Sequence, residues 1–214
     1  MKKVNGYPPK ILVTDAGRSS AVAIMRSLGR KGYRVIAADS DPNSIGFRSR
    51  YVFSKVIYPE PRSAPEQFSV YLLKVAQAQG VDLIIPVTDQ SIQPIAKARI
   101  HFENITRIAI PSNHLLEVVT DKIKTLKLAE RIGVPVPKTF IVNNASEALK
   151  KSKELGWPVV LKPQFSLRLR EGNVINSYSV RYATTATELG KKMKIYEGRC
   201  SILLQNYCEG IGYG

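Results

Sequence analysis

Two absences narrow the function before any motif is considered. The 214-residue chain has only two cysteines, Cys200 and Cys208, and their spacing does not match that of a metal site. No apolar run reaches the roughly 20 residues that a membrane-spanning helix needs. The sequence therefore predicts a cytoplasmic protein that keeps ordinary thiols and has no membrane partner.

Acidic residues are also scarce, because 17 Asp and Glu stand against 32 Lys and Arg, for a net charge of +15. Such an excess can indicate a nucleic-acid partner. Here each half of the chain carries 16 basic residues, without a basic tail, a basic helical stripe or interleaved aromatic residues. Nucleic acid is therefore disfavoured. Small anionic substrates, or an acidic portion of the protein outside this chain, explain the charge equally well.

Strand and helix patterns alternate from residue 10 to residue 111. This order predicts an α/β fold with an open, Rossmann-like parallel sheet covered on both faces. Ligands of such sheets bind at the carboxyl ends of the strands. The residues that fall at these ends are candidate substrate-side groups, although each is also an ordinary cap or turn residue: Asp15, Gly17, Asp39, Thr88, Asp89 and Gln90.

The first strand, helix and strand resemble the opening of a dinucleotide-binding fold, in which Asp39 would occupy the place of a ribose-binding acid. The glycine fingerprint of that fold needs three glycines, and only Gly17 is present. An NAD-dependent oxidoreductase is therefore a less favoured alternative. Asp39 is better explained as the end of a strand and the beginning of a turn.

The pattern changes after Pro111. Two helical stretches, 112–119 and 121–132, follow one another with Asp121 as the cap of the second. A strand is predicted at 139–142, a helix at 146–155 and a buried strand at 159–162, bracketed by Pro158 and Pro163. This strand ends in Lys162, whose ammonium could bind an anionic ligand or extend into solvent.

A loop rich in positive charge, 163–173, follows Lys162. Residues 174–182 alternate in a way that predicts a return strand, and hence a hairpin. Thr185 is the predicted cap of a helix at 186–196, and 201–207 is the last predicted strand. The chain continues through Cys208, Glu209 and Gly210 into a glycine-rich turn.

This order of features resembles the ATP-grasp superfamily of carboxylate–amine (or thiol) ligases. The resemblance is strongest to the branch that has a pre-ATP-grasp domain and includes carbamoyl-phosphate synthase large-subunit-like proteins. It is carried by Asp121-Lys122, by the segments 132–137 and 156–163, and by the run 203–214. It implies a pre-ATP-grasp Rossmann-like domain at 1–111, followed at 112–214 by the first α+β lobe of a truncated ATP-grasp domain.

The resemblance also implies residue roles. Lys122 and Lys162 would contact the phosphates of ATP, and the loop with Ser166, Arg168, Arg170 and Gly172 would close over them. The hinge would read the adenine edge, and Glu209 would hold the ribose hydroxyls. The implied hinge residues are Gln205, Asn206, Tyr207 and Cys208. ATP would phosphorylate a small-molecule carboxylate, and an amine would then attack the acyl phosphate.

Two departures from the family pattern leave alternatives open. The family's phosphate loop is usually glycine-rich, whereas this loop has only Gly172 together with Arg168 and Arg170, which favours as an alternative a non-catalytic nucleotide-binding or regulatory module. The family's Mg²⁺ ligands come from a C-terminal lobe, so we expect the metal ligands and catalytic residues outside this chain. The chain is then an N-terminal fragment that does not turn over substrate alone. A homodimer is compatible with the resemblance.

Overall fold

The computed structural model describes residues 7–169 and 175–211. These residues cluster into two compact units. The chain passes from the first unit to the second between Pro111 and Ser112, and Leu169, Ile175 and Asn176 are grouped with the first unit. Within the described ranges, no helix is both long and apolar enough to cross a bilayer.

The first unit is built on a five-stranded parallel sheet in the order β3-β2-β1-β4-β5. Its strands are β1 (Lys10–Val13), β2 (Arg34–Asp39), β3 (Val52–Ile57), β4 (Leu83–Ile85) and β5 (Arg107–Ile108). Its helices are α1 (Ser19–Arg30), α2 (Pro65–Gln79), α3 (Asp89–Lys97) and α4 (Arg99–Glu103), with a 3-10 turn at Ile45–Arg48. The predicted parallel sheet is confirmed.

Alternate residues of the central strands fill two separate cores. Leu12 and Ile36 pack with Phe68 of α2 on one face, while Val13 and Ala37 pack with Met25 of α1 on the other. Both faces of β1 and β2 are therefore apolar, as expected for a parallel sheet covered on both sides.

The fifth strand is shorter than the predicted 107–111. The pairing of β5 with β4 covers Arg107 and Ile108, and one further hydrogen bond joins the amide of Ala109 to the carbonyl of Ile84. Pro111 has no amide hydrogen to continue the ladder.

The second unit holds a four-stranded antiparallel sheet in the order β10-β7-β11-β6. These strands are β6 (Thr139–Val142), β7 (Val159–Pro163), β10 (Arg181–Ala183) and β11 (Ile202–Asn206). The helices are α5 (Asn113–Thr120), α6 (Lys122–Arg131), α7 (Ala145–Leu155) and α8 (Ala186–Met193). The predicted caps Asp121 and Thr185 are confirmed, because each side chain accepts a hydrogen bond from the first turn of its helix.

The two faces of this sheet differ in chemistry. Val159 and Leu161 of β7 and Ile202 and Leu204 of β11 form a core with Leu189 and Met193 of α8 and Ala148 of α7. The alternate residues of the four strands must point to the opposite side of the sheet. We call this side the Lys162 face; it comprises Thr139, Ile141, Val160, Lys162, Tyr182, Leu203 and Gln205.

The prediction of a single return strand at 174–182 is wrong. Instead, β8 (Leu167–Leu169) pairs with β9 (Ile175–Ser177), while β10 pairs with β7. Between β9 and β10 the chain leaves the hairpin. The amide of Tyr178 still donates to the carbonyl of Ser166, but the carbonyl of Ser179 accepts from the hydroxyl of Tyr196. Arg168 therefore lies in β8 rather than in a loop, and Arg170 and Gly172 lie outside the described residues.

Candidate functional site

A polar cleft of about 240 Å³ lies at the carboxyl edge of the parallel sheet. Four of the predicted substrate-side residues line it, namely Asp15, Gly17, Asp39 and Gln90. The other two, Thr88 and Asp89, do not line it. Arg18, Asp41 and Glu60 also line the cleft, which is therefore predominantly acidic in a strongly basic chain.

The carboxylate of Asp15 joins the end of β1 to the loop after β4. It accepts hydrogen bonds from the hydroxyls of Thr14 (2.6 Å), Ser91 (2.7 Å) and Thr88 (3.1 Å) and from the amide of Thr88 (3.1 Å). The backbone of Asp15 has φ of +55°, an uncommon value for a residue other than glycine. Asp15 therefore acts first as a structural brace between two loops of the cleft.

Tyr58 forms part of the wall of this cleft, and sequence reasoning missed it. Its hydroxyl accepts a hydrogen bond from the amide of Asp15 at 2.9 Å, and its ring packs edge-on against Phe68 at 4.8 Å. Burial, and then the nearby Asp15 carboxylate, raise the pKa of Tyr58 well above its ordinary value. The phenol therefore stays neutral, and it supplies a hydrogen-bonding group without charge.

Asp39 holds the turn that follows β2. One carboxylate oxygen accepts from the amide of Gly17 (2.7 Å) and the hydroxyl of Ser44 (2.8 Å), and the other accepts from the amide of Asp41 (3.0 Å). Both oxygens serve the turn, which favours the turn interpretation of Asp39 over ribose binding. A side chain at Gly17 would crowd Ser44, since a Cβ there would lie 3.0 Å from the hydroxyl oxygen.

The Lys162 face of the second unit combines a cation with an unused acceptor. Lys162 is half-buried and lies opposite Leu203 in the pairing of β7 with β11. Two residues further along β11, Gln205 is only 3% exposed and donates through Nε2 to the hydroxyl of Thr139 at 2.8 Å. Among the described residues, no donor reaches the buried Oε1 of Gln205.

The orientation of the Gln205 amide follows from a short chain of hydrogen bonds. The Thr139 hydroxyl donates its hydrogen to the carbonyl of Pro137 at 2.6 Å, so it can only accept from Gln205. The NH₂ group of Gln205 therefore points to Thr139, which leaves its carbonyl oxygen as an acceptor. The sequence indicated a polar hinge at Gln205, but it did not reveal the hydrogen-bond partner, because Thr139 lies 66 positions away.

Aromatic and apolar groups complete this face. Val160 and Leu203 are nearly buried, whereas Ile141 is 45% exposed. Tyr182 and Tyr207 form an edge-to-face pair with ring centroids 6.1 Å apart. An apolar strip between a lysine and an amide acceptor is the kind of surface that a heteroaromatic ring bearing an anionic group can occupy.

Lys122 and Ser166, two of the predicted phosphate-contacting residues, are brought together. The ammonium of Lys122 donates to the hydroxyl of Ser166 at 2.8 Å, and the amide of Lys122 donates to the carbonyl of Gln164 at 3.0 Å. The first residue of α6 thus lies against the segment that leads into the β8–β9 hairpin.

The remaining hinge residues follow directly after Gln205. Asn206 donates through Nδ2 to the sulfur of Cys208 at 3.8 Å, and its buried Oδ1 has no donor among the residues that the structure describes. Tyr207, Cys208 and Glu209 are exposed. These side chains are accessible at the end of β11, where the resemblance places the adenine and ribose contacts.

Comparison with protein-family models gives no match. Among curated proteins, the chain is similar to the carbamoyl phosphate synthase large chain of Archaeoglobus fulgidus, with 25% identity over 191 residues that cover 86% of this chain and 17% of the relative. The corresponding protein of Deinococcus radiodurans is 23% identical over 212 residues, or 94% of this chain and 20% of the relative. The chain therefore spans at most a fifth of the length of these two relatives.

Solved structures share the fold. N5-carboxyaminoimidazole synthetase from Staphylococcus aureus complexed with ADP matches with a TM-score of 0.63 and 16% identity, covering 94% of this chain and 47% of that one. L-amino acid ligase from Bacillus licheniformis gives a TM-score of 0.66 at 14% identity, covering 95% and 45%. The sequence relatives and the shared fold together confirm the resemblance of this chain to the ATP-grasp superfamily of carboxylate–amine ligases.

Proposed function

We propose that this chain supplies the ATP-binding part of an ATP-dependent carboxylate–amine (or thiol) ligase. Residues 1–111 would form the pre-ATP-grasp domain and residues 112–214 the first lobe of the ATP-grasp domain. The observation that carries the proposal is the Lys162 face, where a strand-held lysine and the Oε1 of Gln205, which no donor reaches among the described residues, flank an apolar strip.

The groups on this face, together with Lys122, Ser166 and the residues after β11, suit an adenine nucleotide. Lys162 and Lys122 would hold the phosphates as compact cations, with Ser166 and the hairpin beside them. Gln205 and the hinge residues 206–208 would receive the base, and Glu209 would accept hydrogen bonds from the ribose hydroxyls. A buried acceptor without a donor costs free energy, so a ligand that brings an amino group to Gln205 would recover it.

Mg²⁺ would neutralise charge that develops on the transferred phosphoryl group. Within the described residues, no cluster of three or more His, Cys, Asp and Glu side chains could hold a metal ion. As part of the proposal, the Mg²⁺ ligands lie outside this chain, because ligases of the superfamily that the sequence resembles carry them in a C-terminal lobe. The task of Lys122 and Lys162 is to fix the phosphate chain by direct contact.

The acidic cleft of the first unit would serve the substrates. It lies at the carboxyl edge of a parallel sheet, where small molecules bind in folds of this class. The substrates would be a carboxylate, activated as an acyl phosphate, and the amine that attacks it. A cytoplasmic location, in which thiols such as those of Cys200 and Cys208 stay reduced, is part of the same proposal. We also keep a homodimer as a proposal.

Nucleotide binding by the purified 214-residue chain tests the proposal. We expect ATP and ADP, but not NAD, to raise the melting temperature and to give a calorimetric binding isotherm. Lys162→Ala should weaken ATP binding by roughly 10- to 100-fold, the range expected for a charge-assisted hydrogen bond. The control is Lys191→Ala, which removes an exposed lysine from α8 on the other side of the same sheet. Tight NAD binding, or equal affinities of the two variants for ATP, would contradict the proposal.

A non-catalytic nucleotide-binding module is the second candidate. The observation in its favour is the segment after Ser166, which contains Arg168 and Arg170 and only one glycine, Gly172, whereas the phosphate loop of this superfamily is usually glycine-rich. Formation of ADP that depends on both a carboxylate and an amine would identify a ligase. Nucleotide binding without such turnover in the longest natural form of the protein would identify a module.

A further inference from the structure

We propose that Asp121 and Gln164 act as positioning residues, which fix the place where the ammonium of Lys122 meets Ser166, beside the β8–β9 hairpin. This inference rests on the proposed function, because it gives Lys122 a phosphate contact to be positioned for. It assigns a role to two side chains that do not themselves bind the nucleotide.

Asp121 is a nearly buried carboxylate, 5% exposed, with a different task for each oxygen. Oδ1 caps α6 by accepting from the amides of Ile123 (2.9 Å) and Lys124 (3.3 Å). Oδ2 accepts from the side-chain amide of Gln164 at 2.8 Å. Helix capping alone would need only one of these oxygens, so the second contact requires a separate explanation.

Gln164 is tied to three parts of the second unit at once. Its amide donates to the carbonyl of Ser201 (3.0 Å), just before β11, and its carbonyl accepts from the amide of Lys122 (3.0 Å). Its side chain reaches Asp121 at 2.8 Å. Gln164 therefore fixes the start of α6 against the end of β7, the strand that carries Lys162.

The position of Lys122 is electrostatically unusual. It is the first residue of α6, and Lys124 follows in the same turn, which contains no acidic residue. The amino end of a helix carries partial positive charge, so cations there are unfavourable. Asp121 is the neighbouring anion that offsets this arrangement. A lysine held at this point against Ser166 is explained if an anion binds beside the pair and contacts both groups.

The test exchanges the donor and the acceptor of the Asp121–Gln164 hydrogen bond. Gln164→Glu places a carboxylate against Asp121 and leaves the capping oxygen in place. The double variant Asp121→Asn with Gln164→Glu restores the bond, because asparagine caps helices as well as aspartate and can donate to the glutamate. Gln77→Glu, at an exposed position of α2, controls for the added charge.

Binding of AMP, ADP and ATP to each variant is measured by calorimetry. For Gln164→Glu we expect affinity for ADP and ATP to fall about tenfold while affinity for AMP stays within about twofold, since the hydrogen bond at stake orients a phosphate contact. The double variant and Gln77→Glu should bind like the unmodified chain. Gln164→Leu, which removes the donor without adding charge, should give a smaller loss in the same direction, and it replaces Gln164→Glu if that variant does not fold.

Three results would overturn the inference. Equal losses for AMP and ATP would indicate a general structural role, and the absence of any loss would indicate no role. Failure of the double variant to recover ATP binding would show that the hydrogen bond itself is not what matters. If the unmodified chain binds no adenine nucleotide, the proposed function fails first, and this inference fails with it.

Discussion

The cleft of the first unit and the Lys162 face of the second use polar residues in opposite ways. In the cleft, Asp15 and Asp39 accept hydrogen bonds from hydroxyls and amides of the protein with both carboxylate oxygens. On the Lys162 face, Gln205 keeps a buried acceptor without a donor among the described residues. Acids at strand ends can therefore hold loops together, while an amide inside a strand can leave bonding capacity for a ligand.

Removal of the Asp15 carboxylate should have the largest effect on stability. Asp15→Ala removes the carboxylate that accepts hydrogen bonds from hydroxyls and an amide of Thr14, Thr88 and Ser91. We expect a loss of about 3 kcal/mol in the free energy of unfolding of the first unit, because several hydrogen bonds to a charged group are broken. Urea denaturation measures the loss in the free energy of unfolding, and hydrogen exchange at the amides of Val87 and Thr88 locates it.

The matched control for Asp15→Ala is Asp89→Ala. Asp89 also follows a strand at this edge, but it is exposed in the first turn of α3. Its loss should cost no more than about 1 kcal/mol, the usual size of a helix-dipole contribution. Equal losses for the two variants would show that Asp15 is no more a brace than any acid at the sheet edge.

Gly46 in the first unit and Gly190 in the second test how closely each unit packs around a glycine. A Cβ on Gly46 would lie 2.2 Å from the carbonyl oxygen of Ala16 and 2.5 Å from the terminal carbon of Met25, so the backbone would have to shift. We expect Gly46→Ala to destabilise the protein by about 2 kcal/mol, as for overpacked cores. Gly190, inside α8, has no neighbour within 4 Å of such a Cβ.

Gly190→Ala is the control, and it should stabilise α8 by about 0.5–1 kcal/mol, because alanine is the better helix former. Chemical denaturation of both variants gives the two free-energy changes. A neutral Gly46→Ala would mean that the loop after β1 tolerates displacement. The cleft would then be less rigid than its hydrogen bonds indicate.

Local signals in the sequence were sufficient for most of the helices and strands. The alternation of strands and helices up to Pro111, the cap at Asp121 and the strand that carries Lys162 each depend on a few neighbouring residues. The return strand at 174–182 was wrong because its alternation persists while the chain leaves one sheet and enters another. Strand propensity does not report which partner a strand pairs with.

Contacts between distant residues could not be predicted. Asp15 meets Thr88 and Ser91 across 73 and 76 positions, and Gln205 meets Thr139 across 66. The register of the sheets creates these pairs, and register follows from the whole set of buried residues. The sequence therefore indicated which residues lie at the strand ends but not that Asp15 would be used internally.

Glu188 provides the smallest test, because it is a partly exposed acid that is nevertheless bonded within the protein. Its carboxylate accepts from the amide of Thr184 at 2.9 Å and from the hydroxyl of the same residue at 3.1 Å. The hydrogen bond from the Thr184 amide, followed by that from the hydroxyl, lowers the pKa of Glu188 below its ordinary value. The stabilisation is therefore complete above the unfolded-state pKa and disappears as pH falls through the lower folded-state pKa.

We expect Glu188→Gln to lower the melting temperature slightly at neutral pH and to match the unmodified protein once the carboxylate is protonated. Thermal unfolding followed from about pH 7 to about pH 3 measures the difference. Glu197→Gln, at an exposed acid beyond the end of α8, controls for the removal of one negative charge. A difference that grows as the pH falls would contradict the sign of the linkage. It would also mean that Glu188 does not act through its ionised form.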